Sequence, residues 1–315
     1  VLVLPLLASP AAASGGKQDY IVVYKAEIDP DQASTRIVNA YGADVISIYR
    51  HALNGSFVRA NASQIEQIAN DPTVAFVEEN QIWSIDAQTI ATGLSRVFAP
   101  ANSNLSINGE HDYTVDADVA VIDTGIDLDH PELNVVAAIN CTISGPNEGQ
   151  CYGVKDDGHG HGSHVAGIIG ARDNGDGVVG IAPGVRLWAV KVLTNYGSGT
   201  TAQIIAGIDW VAAHAADIEV ANMSVGGIGE SPAQDLAVRN AVAAGVTFVL
   251  SAGNSNIDVN NYHPAGEPSA ITVSALADFD GLPGGLGAPT CRVDVDDTRA
   301  DFSNYGAGVN IAAPG

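Results

Sequence analysis

Three short stretches carry residue types able to do chemistry. Asp123 closes the apolar run Val119-Ala120-Val121-Ile122. A carboxylate at the end of a buried strand keeps one oxygen dry and turns the other to a partner. His161 stands in Gly158-His159-Gly160-His161-Gly162-Ser163-His164-Val165-Ala166-Gly167, a glycine loop that opens into a helical pattern. Placed together, the carboxylate fixes the imidazole tautomer while the imidazole takes a proton from a hydroxyl nucleophile. The third stretch, Ser251-Ala252-Gly253-Asn254, again ends an apolar run. An asparagine amide there can donate to an oxyanion as it develops. Singly, each has a plainer reading as a turn or cap residue; jointly they read as hydrolase machinery. The three histidines also suggest zinc. That reading is set aside, because i, i+2 spacing does not share a helix face and no His-Glu-x-x-His occurs.

The elements that must hold these residues follow from periodicity. After Asp86 strands alternate with helices: strands at 118–123, 186–192, 218–224 and 246–251, helices at 161–171, 200–213 and 232–244. Alternation of this kind predicts an α/β domain, a parallel sheet with helices on both faces. Reactive groups then collect beyond the carboxyl ends of the strands. Before Asp86 the order strand, helix, strand, strand, helix, strand predicts a small α+β sandwich, helices on one face of an antiparallel sheet. Its second helix is expected to open on a capping box formed by Ser63 and Glu66. The expected organisation is 1–14 as a signal-peptide remnant, 15–86 as the small domain and 87–315 as the larger one. Val1 to Ala8 is apolar and Ser9 to Ser14 supplies the small residues of a signal cleavage site.

The 315 residues carry 13 Lys+Arg against 36 Asp+Glu, a formal charge of −23. Phosphate recognition needs clustered cations, so a nucleic-acid or anionic-membrane surface is excluded. No stretch reaches the ~18 apolar residues of a membrane-spanning helix, and the expectation is a secreted, monomeric protein. Cys141 and Cys151 lie in a loop with two glycines and one proline between them and can close a small disulfide. Cys291 is the odd cysteine; it is free or pairs past Gly315.

These motifs resemble the subtilisin-like serine proteases. Val121-Ile122-Asp123-Thr124-Gly125 is similar to the family's Asp motif, and His161-Gly162-Ser163-His164-Val165-Ala166-Gly167 to its His motif, with Ser163 where Thr is commoner. The resemblance implies that Asp123 orients, that His161 (not His159 or His164) is the base, and that Asn254 holds the oxyanion. It implies that Ser224, Val225 and Gly226, in Asn222-Met223-Ser224-Val225-Gly226-Gly227, line the primary specificity pocket. Gly197, Ser198 and Gly199 would form the opposite edge, where substrate backbone pairs as an added strand. Residues 17–85 resemble the family's inhibitory propeptide, with cleavage near Asp86, so peptide substrates and the chain's own propeptide are the implied partners. The nucleophile segment Gly-Thr-Ser-Met-Ala does not occur in these residues, which stop at Ile311-Ala312-Ala313-Pro314-Gly315. The expectation is a fragment of an active enzyme whose serine lies further on; a pseudoprotease or an inhibitor acting in trans is the alternative.

Calcium is the implied cofactor. Asp173-Asn174-Gly175-Asp176-Gly177-Val178 begins like an EF-hand loop but has Gly184 at the twelfth position instead of Glu, which rejects that motif. Carried over by resemblance, the ligands are Gln88, Glu132, Arg172, Asn174, Asp176 and Val178, with residues 172, 176 and 178 using backbone oxygens. A further acidic run, Asp294-Val295-Asp296-Asp297, reads either as a site for a second ion or as solvated surface, and the solvated reading is the expectation.

Overall fold

The computed structural model describes residues 16–51, 53–80, 88–290 and 292–315. The leader, Asp86 with the expected cleavage bond, and Cys291 lie outside the described residues. The chain divides into two compact units, Val1–Ser84 and Ile85–Gly315.

The first unit is built from β1 (Gln18–Tyr24), α1 (Pro30–Tyr41), β2 (Asp44–Tyr49), β3 (Gly55–Ala60), α2 (Ala62–Ala69) and β4 (Val74–Glu79). Its sheet is antiparallel in the order β2-β3-β1-β4. Tyr20, Val22 and Tyr24 alternate inward from β1 and meet Ala33 and Ile37 of α1 and Ile68 of α2 in one core. Both helices therefore cover one face, as the period-two pattern requires. Asp29 caps α1 by accepting from the N–H groups of Asp31 and Gln32, and Gly42 ends it at φ 65°. The cap of α2 differs from expectation. Asn61 accepts from the Gln64 amide while Gln64 accepts from the Asn61 amide, so an Asn-x-x-Gln box starts the helix ahead of Ser63.

The second unit contains α3 (Thr92–Arg96), β5 (Asp118–Asp123), β6 (Val135–Asn140), α4 (His161–Gly170), β7 (Arg186–Lys191), α5 (Thr201–Ala213) and β8 (Val220–Met223). It continues with β9 (Gly227–Ile228), α6 (Pro232–Ala243), β10 (Thr247–Ser251), β11 (Tyr262–His263), β12 (Ile271–Ala277), β13 (Thr298–Arg299) and β14 (Ile311–Pro314). The main sheet runs β13-β12-β10-β8-β5-β7-β6, with β14 on β12, and is parallel except at β13. All six residues of β5 are buried. Ala120 and Ile122 face a core shared with α5 and α6, while Val119 and Val121 face the core that Ala166 of α4 joins. Helices thus cover both faces. The chain leaves β5 for β6, returns through β7, and crosses to β8 on the other side of β5. That reversal puts a crevice at the carboxyl end of β5, where Asp123 stands.

Cys141 and Cys151 are bonded. The acidic run between β12 and β13 is not solvated as expected: Asp294 and Asp296 are buried, because backbone amides turn inward onto them. Because few residues share its core, the small unit is expected to be sensitive to loss of a core side chain. Ile37→Ala removes a fully buried side chain and should cost about 2–5 kcal/mol, a large share of what a small domain has. Urea denaturation followed by hydrogen exchange should show residues 18–79 opening at lower denaturant than in the parent chain.

Candidate active site

Asp123 ends β5 with its side chain fully buried, and its Oδ1 lies 2.7 Å from Nδ1 of His161. The same oxygen accepts the Thr124 N–H at 2.7 Å, while Oδ2 is buried and, among the described residues, has no hydrogen-bond partner. His161 is the first residue of α4, placed by Gly160 in a left-handed conformation at φ 93°. With Nδ1 turned to Asp123, Nε2 is the nitrogen left to face a nucleophile; the side chain is 44% exposed, so this edge is reachable.

Two features set the closeness of this pair. An ideal Cβ on Gly162 would stand 2.0 Å from the carbonyl oxygen of Gly125, so only glycine lets α4 approach the end of β5. The Gly162 N–H then donates to Oγ1 of Thr124 at 2.9 Å. Asp157 organises the start of the helix. Its Oδ1 accepts from the amides of His159 and Gly160, and its Oδ2 from the amide and hydroxyl of Ser163. Burial acts to raise the Asp157 carboxyl, but the Ser163 hydroxyl and the three amides outweigh it and hold its pKa down to about 2. Ser163 in turn accepts the Asp127 amide at 2.8 Å, so serine fills the place where Thr is commoner without losing the link.

Lys191, paired in register with Asp123, is fully buried and donates through Nζ to the carbonyl of Thr124. Burial pushes its ammonium below the usual value, against the pull of Asp157 and Asp123.

Asn254 follows β10 and is exposed, with Gly253 at φ 96° turning the chain outward before it. Asn304 pins this loop: it is fully buried, donates through Nδ2 to Ala252, and accepts at Oδ1 from the amides of Ser255 and Ile257. No local motif marks Asn304 in the sequence, because its partners lie about fifty residues away.

Ser224, Val225 and Gly226 leave the end of β8, beside β10. A Cβ on Gly226 would meet the Tyr262 ring at 2.5 Å, and one on Gly253 would meet the same ring at 2.6 Å. The two strand ends therefore close on Tyr262. Gly197, Ser198 and Gly199 form an exposed turn after β7, tied by the Thr194 amide to the Ser198 carbonyl. His159 and His164 are also exposed; the His159 ring lies 6.3 Å from that of His161.

The expected calcium ligands gather in part. Gln88 Oε1 accepts from the amides of Asn174 and Gly175, and Asn174 donates through Nδ2 to Oε1 of Glu132. The Arg172 amide donates to the Glu132 carbonyl. Oε2 of Glu132 is buried and, among the described residues, has no hydrogen-bond partner. Asp176 and Val178 lie on the exposed side of the same loop, which is bridged to the N-terminal segment at Thr89 and Val178. Asp173, which was not among the expected ligands, is the anchor: buried, it accepts from Gln88 Nε2 and the amides of Asn108 and Gly109.

The subtilase family model matches residues 115–315, and the peptidase inhibitor I9 model matches residues 19–86. The chain belongs to the subtilase family. Alkaline serine exoprotease A of Vibrio alginolyticus is 36% identical over 295 residues, covering 90% of this chain and 49% of that protein. The chain thus spans about half the length of that relative. Subtilisin NAT of Bacillus subtilis subsp. natto is 33% identical over 313 residues, 98% of this chain and 74% of that one. The crystal structure of a cold adapted subtilisin-like serine proteinase superposes with a TM-score of 0.51 at 36% identity, covering 68% of this chain and 66% of that one. The subtilase match covers Asp123, His161 and Asn254 together, and the I9 match ends at Asp86.

Two substitutions on α4 separate backbone approach from helix propensity. Gly162→Ala should destabilise by about 1–3 kcal/mol through overpacking. Gly167→Ala meets nothing within 4 Å and should stabilise by about 0.5–1 kcal/mol; thermal unfolding of both variants reads the sign. Asp157→Asn tests the carboxylate. Its folded pKa of about 2 lies below the unfolded value of about 4. Its contribution is therefore complete above pH 4 and is lost as pH falls through 2. The stability gap between parent and variant should shrink over that window; a gap that does not change with pH would count against an ionic role.

Proposed function

We propose that this chain is the zymogen portion of a secreted serine endopeptidase. The observation that carries the reading is the 2.7 Å contact between His161 Nδ1 and the buried Asp123. Asp123 holds the imidazole in the tautomer with Nε2 unprotonated and stabilises the imidazolium that forms. His161 takes the proton of a serine hydroxyl as that oxygen attacks the peptide carbonyl, then gives it to the leaving amine. The nucleophile in this reading is a serine C-terminal to Gly315. Asn254, carried outward by Gly253, donates its amide to the carbonyl oxygen as charge develops there. The exposed turn at Gly197, Ser198 and Gly199 offers backbone to one side of an extended substrate, and Ser224, Val225 and Gly226 offer it to the other.

Residues 15–86 act as the propeptide, inhibiting the protease domain that begins near residue 87 until the bond around Asp86 is cut. The I9 match supports this reading. The small-residue segment at 9–14 and the Cys141–Cys151 bond support an exported protein. Among the described residues no helix is long and apolar enough to cross a membrane. The protease acts as a monomer on proteins or peptides.

Calcium is held by Gln88, Glu132, Arg172, Asn174, Asp176 and Val178. The partnerless Glu132 Oε2 supports it, since a buried carboxylate oxygen wants a donor or a cation. Gln88 Oε1 already accepts two loop amides, so Glu132 is the strongest ligand of the set. Bound calcium supplies positive charge that ties the loop to residue 88 and to the turn at Glu132.

In the full-length protein His161→Ala should leave one species that retains residues 15–86. Continued processing near Asp86 at the parent rate would remove His161 from the base role. Asn254→Ala should slow turnover by about 10²–10³, the cost of losing an oxyanion-hole asparagine in subtilisin itself. Calcium at 100 times its dissociation constant should add about 2.7 kcal/mol to stability. Glu132→Ala should remove most of that gain, as read by thermal unfolding with calcium and with chelator.

A further inference from the structure

The connection between β12 and β13, residues 278–297, carries five aspartates and one arginine. Backbone amides fix three of these carboxylates in place. Asp278 accepts from Gly281, Asp280 from Leu282, and Asp296 from Phe279 and Gly287, each at 2.8 Å. One carboxylate oxygen from each of Asp278, Asp280 and Asp296 lies within 4.8 Å of the others.

A second observation marks the cluster as more than crowded acid. The Asp278 side chain is wholly buried, and among the described residues its Oδ2 has no hydrogen-bond partner. The nearest cation, Nε of Arg96, stands 4.0 Å away, because that guanidinium reaches through Nη2 to Asp297 at 2.8 Å instead. A buried carboxylate oxygen without a donor is expensive, and two neighbouring carboxylates raise that cost.

We propose that Asp278, Asp280 and Asp296 form a binding site for a hard divalent cation, with calcium preferred. The donors are all oxygens, which disfavours the softer metals. Calcium–oxygen distances of about 2.4 Å span about 4.8 Å across the ion, which accommodates this group. Asp280 is exposed, so water can complete the six to eight ligands that calcium takes, about as many as an open site allows. The cation joins the first residues of the connection to its last ones and so closes a long loop that, among the described residues, has no strand or helix of its own. The site is independent of the Glu132 loop and of the catalytic reading.

Calcium alone, titrated calorimetrically into the 315-residue chain carrying Glu132→Ala, isolates this site. One calcium per chain should still bind, and adding Asp280→Asn should weaken it by about tenfold or more. Asp280 is exposed, so its replacement spares the packing. Hydrogen exchange gives a second readout: the amides of Phe279, Gly281 and Leu282 should gain protection with calcium in the Glu132→Ala chain and lose that gain when Asp280→Asn is added. No binding heat together with calcium-insensitive exchange in the Glu132→Ala chain would overturn the site and leave Arg96 as the sole counter-charge. Failure of the Glu132 loop instead shows as parent and Glu132→Ala chains binding alike, so the two sites are judged separately.

Discussion

The second unit depends on one close approach, the first turn of α4 against the end of β5. Asp123 is fully buried, which is costly for a charge unless partners surround it. The Thr124 amide and the His161 ring meet Oδ1, and the Lys191 ammonium lies close by on the Thr124 carbonyl. Of these contacts the His161 one belongs to α4, and it does not survive a helix further out. Gly162 permits the approach, Thr124 Oγ1 fixes it, and Asp157 sets the helix's first amides at the correct angle. The reactive pair is therefore a product of backbone geometry before it is a product of side-chain chemistry.

The parts legible in the sequence were those written locally. Strand ends, the glycine loop before His161, and the alternation of strand and helix all leave short-range signals, and Cys141 and Cys151 stand near enough to be paired by inspection. What escaped was long-range or ambiguous. Asn304 holds the Asn254 loop from about fifty residues away and resembles any turn asparagine. Nothing in the sequence around Lys191 marks its ammonium as buried; that follows from its place on β7, between β5 and β6. The strand Val135–Asn140 was hidden because most of its residues are half-buried at the sheet edge, giving no clear period. The α2 cap was misplaced by two residues because two boxes overlap there, and Asn61 is the better acceptor at an N-cap.

The acidic surplus does more than coat the surface. Asp71 gathers Arg36, Tyr41 and Thr73 in the small unit, and Asp118 gathers Arg186 and Trp188 at the start of β5. Asp173 does the same for its loop with the Gln88 side chain and two backbone amides, and Asp296 with backbone amides. A carboxylate accepts several hydrogen bonds at once, so a short side chain can hold an irregular segment that has no ladder of its own. In these segments buried aspartates hold the chain where strands and helices do not.

The same composition leaves few amines. The chain has four lysines, Lys17, Lys25, Lys155 and Lys191. The first two belong to the small unit, and Lys191 is sealed beneath the Thr124 carbonyl. Lys155 is exposed, on the segment between Cys151 and Asp157. Among residues 88–315, reagents that acylate lysine would thus meet one exposed side-chain amine, that of Lys155. A support or dye coupled there would sit two residues from Asp157, whose carboxylate holds the first amides before α4, and so beside the reactive pair.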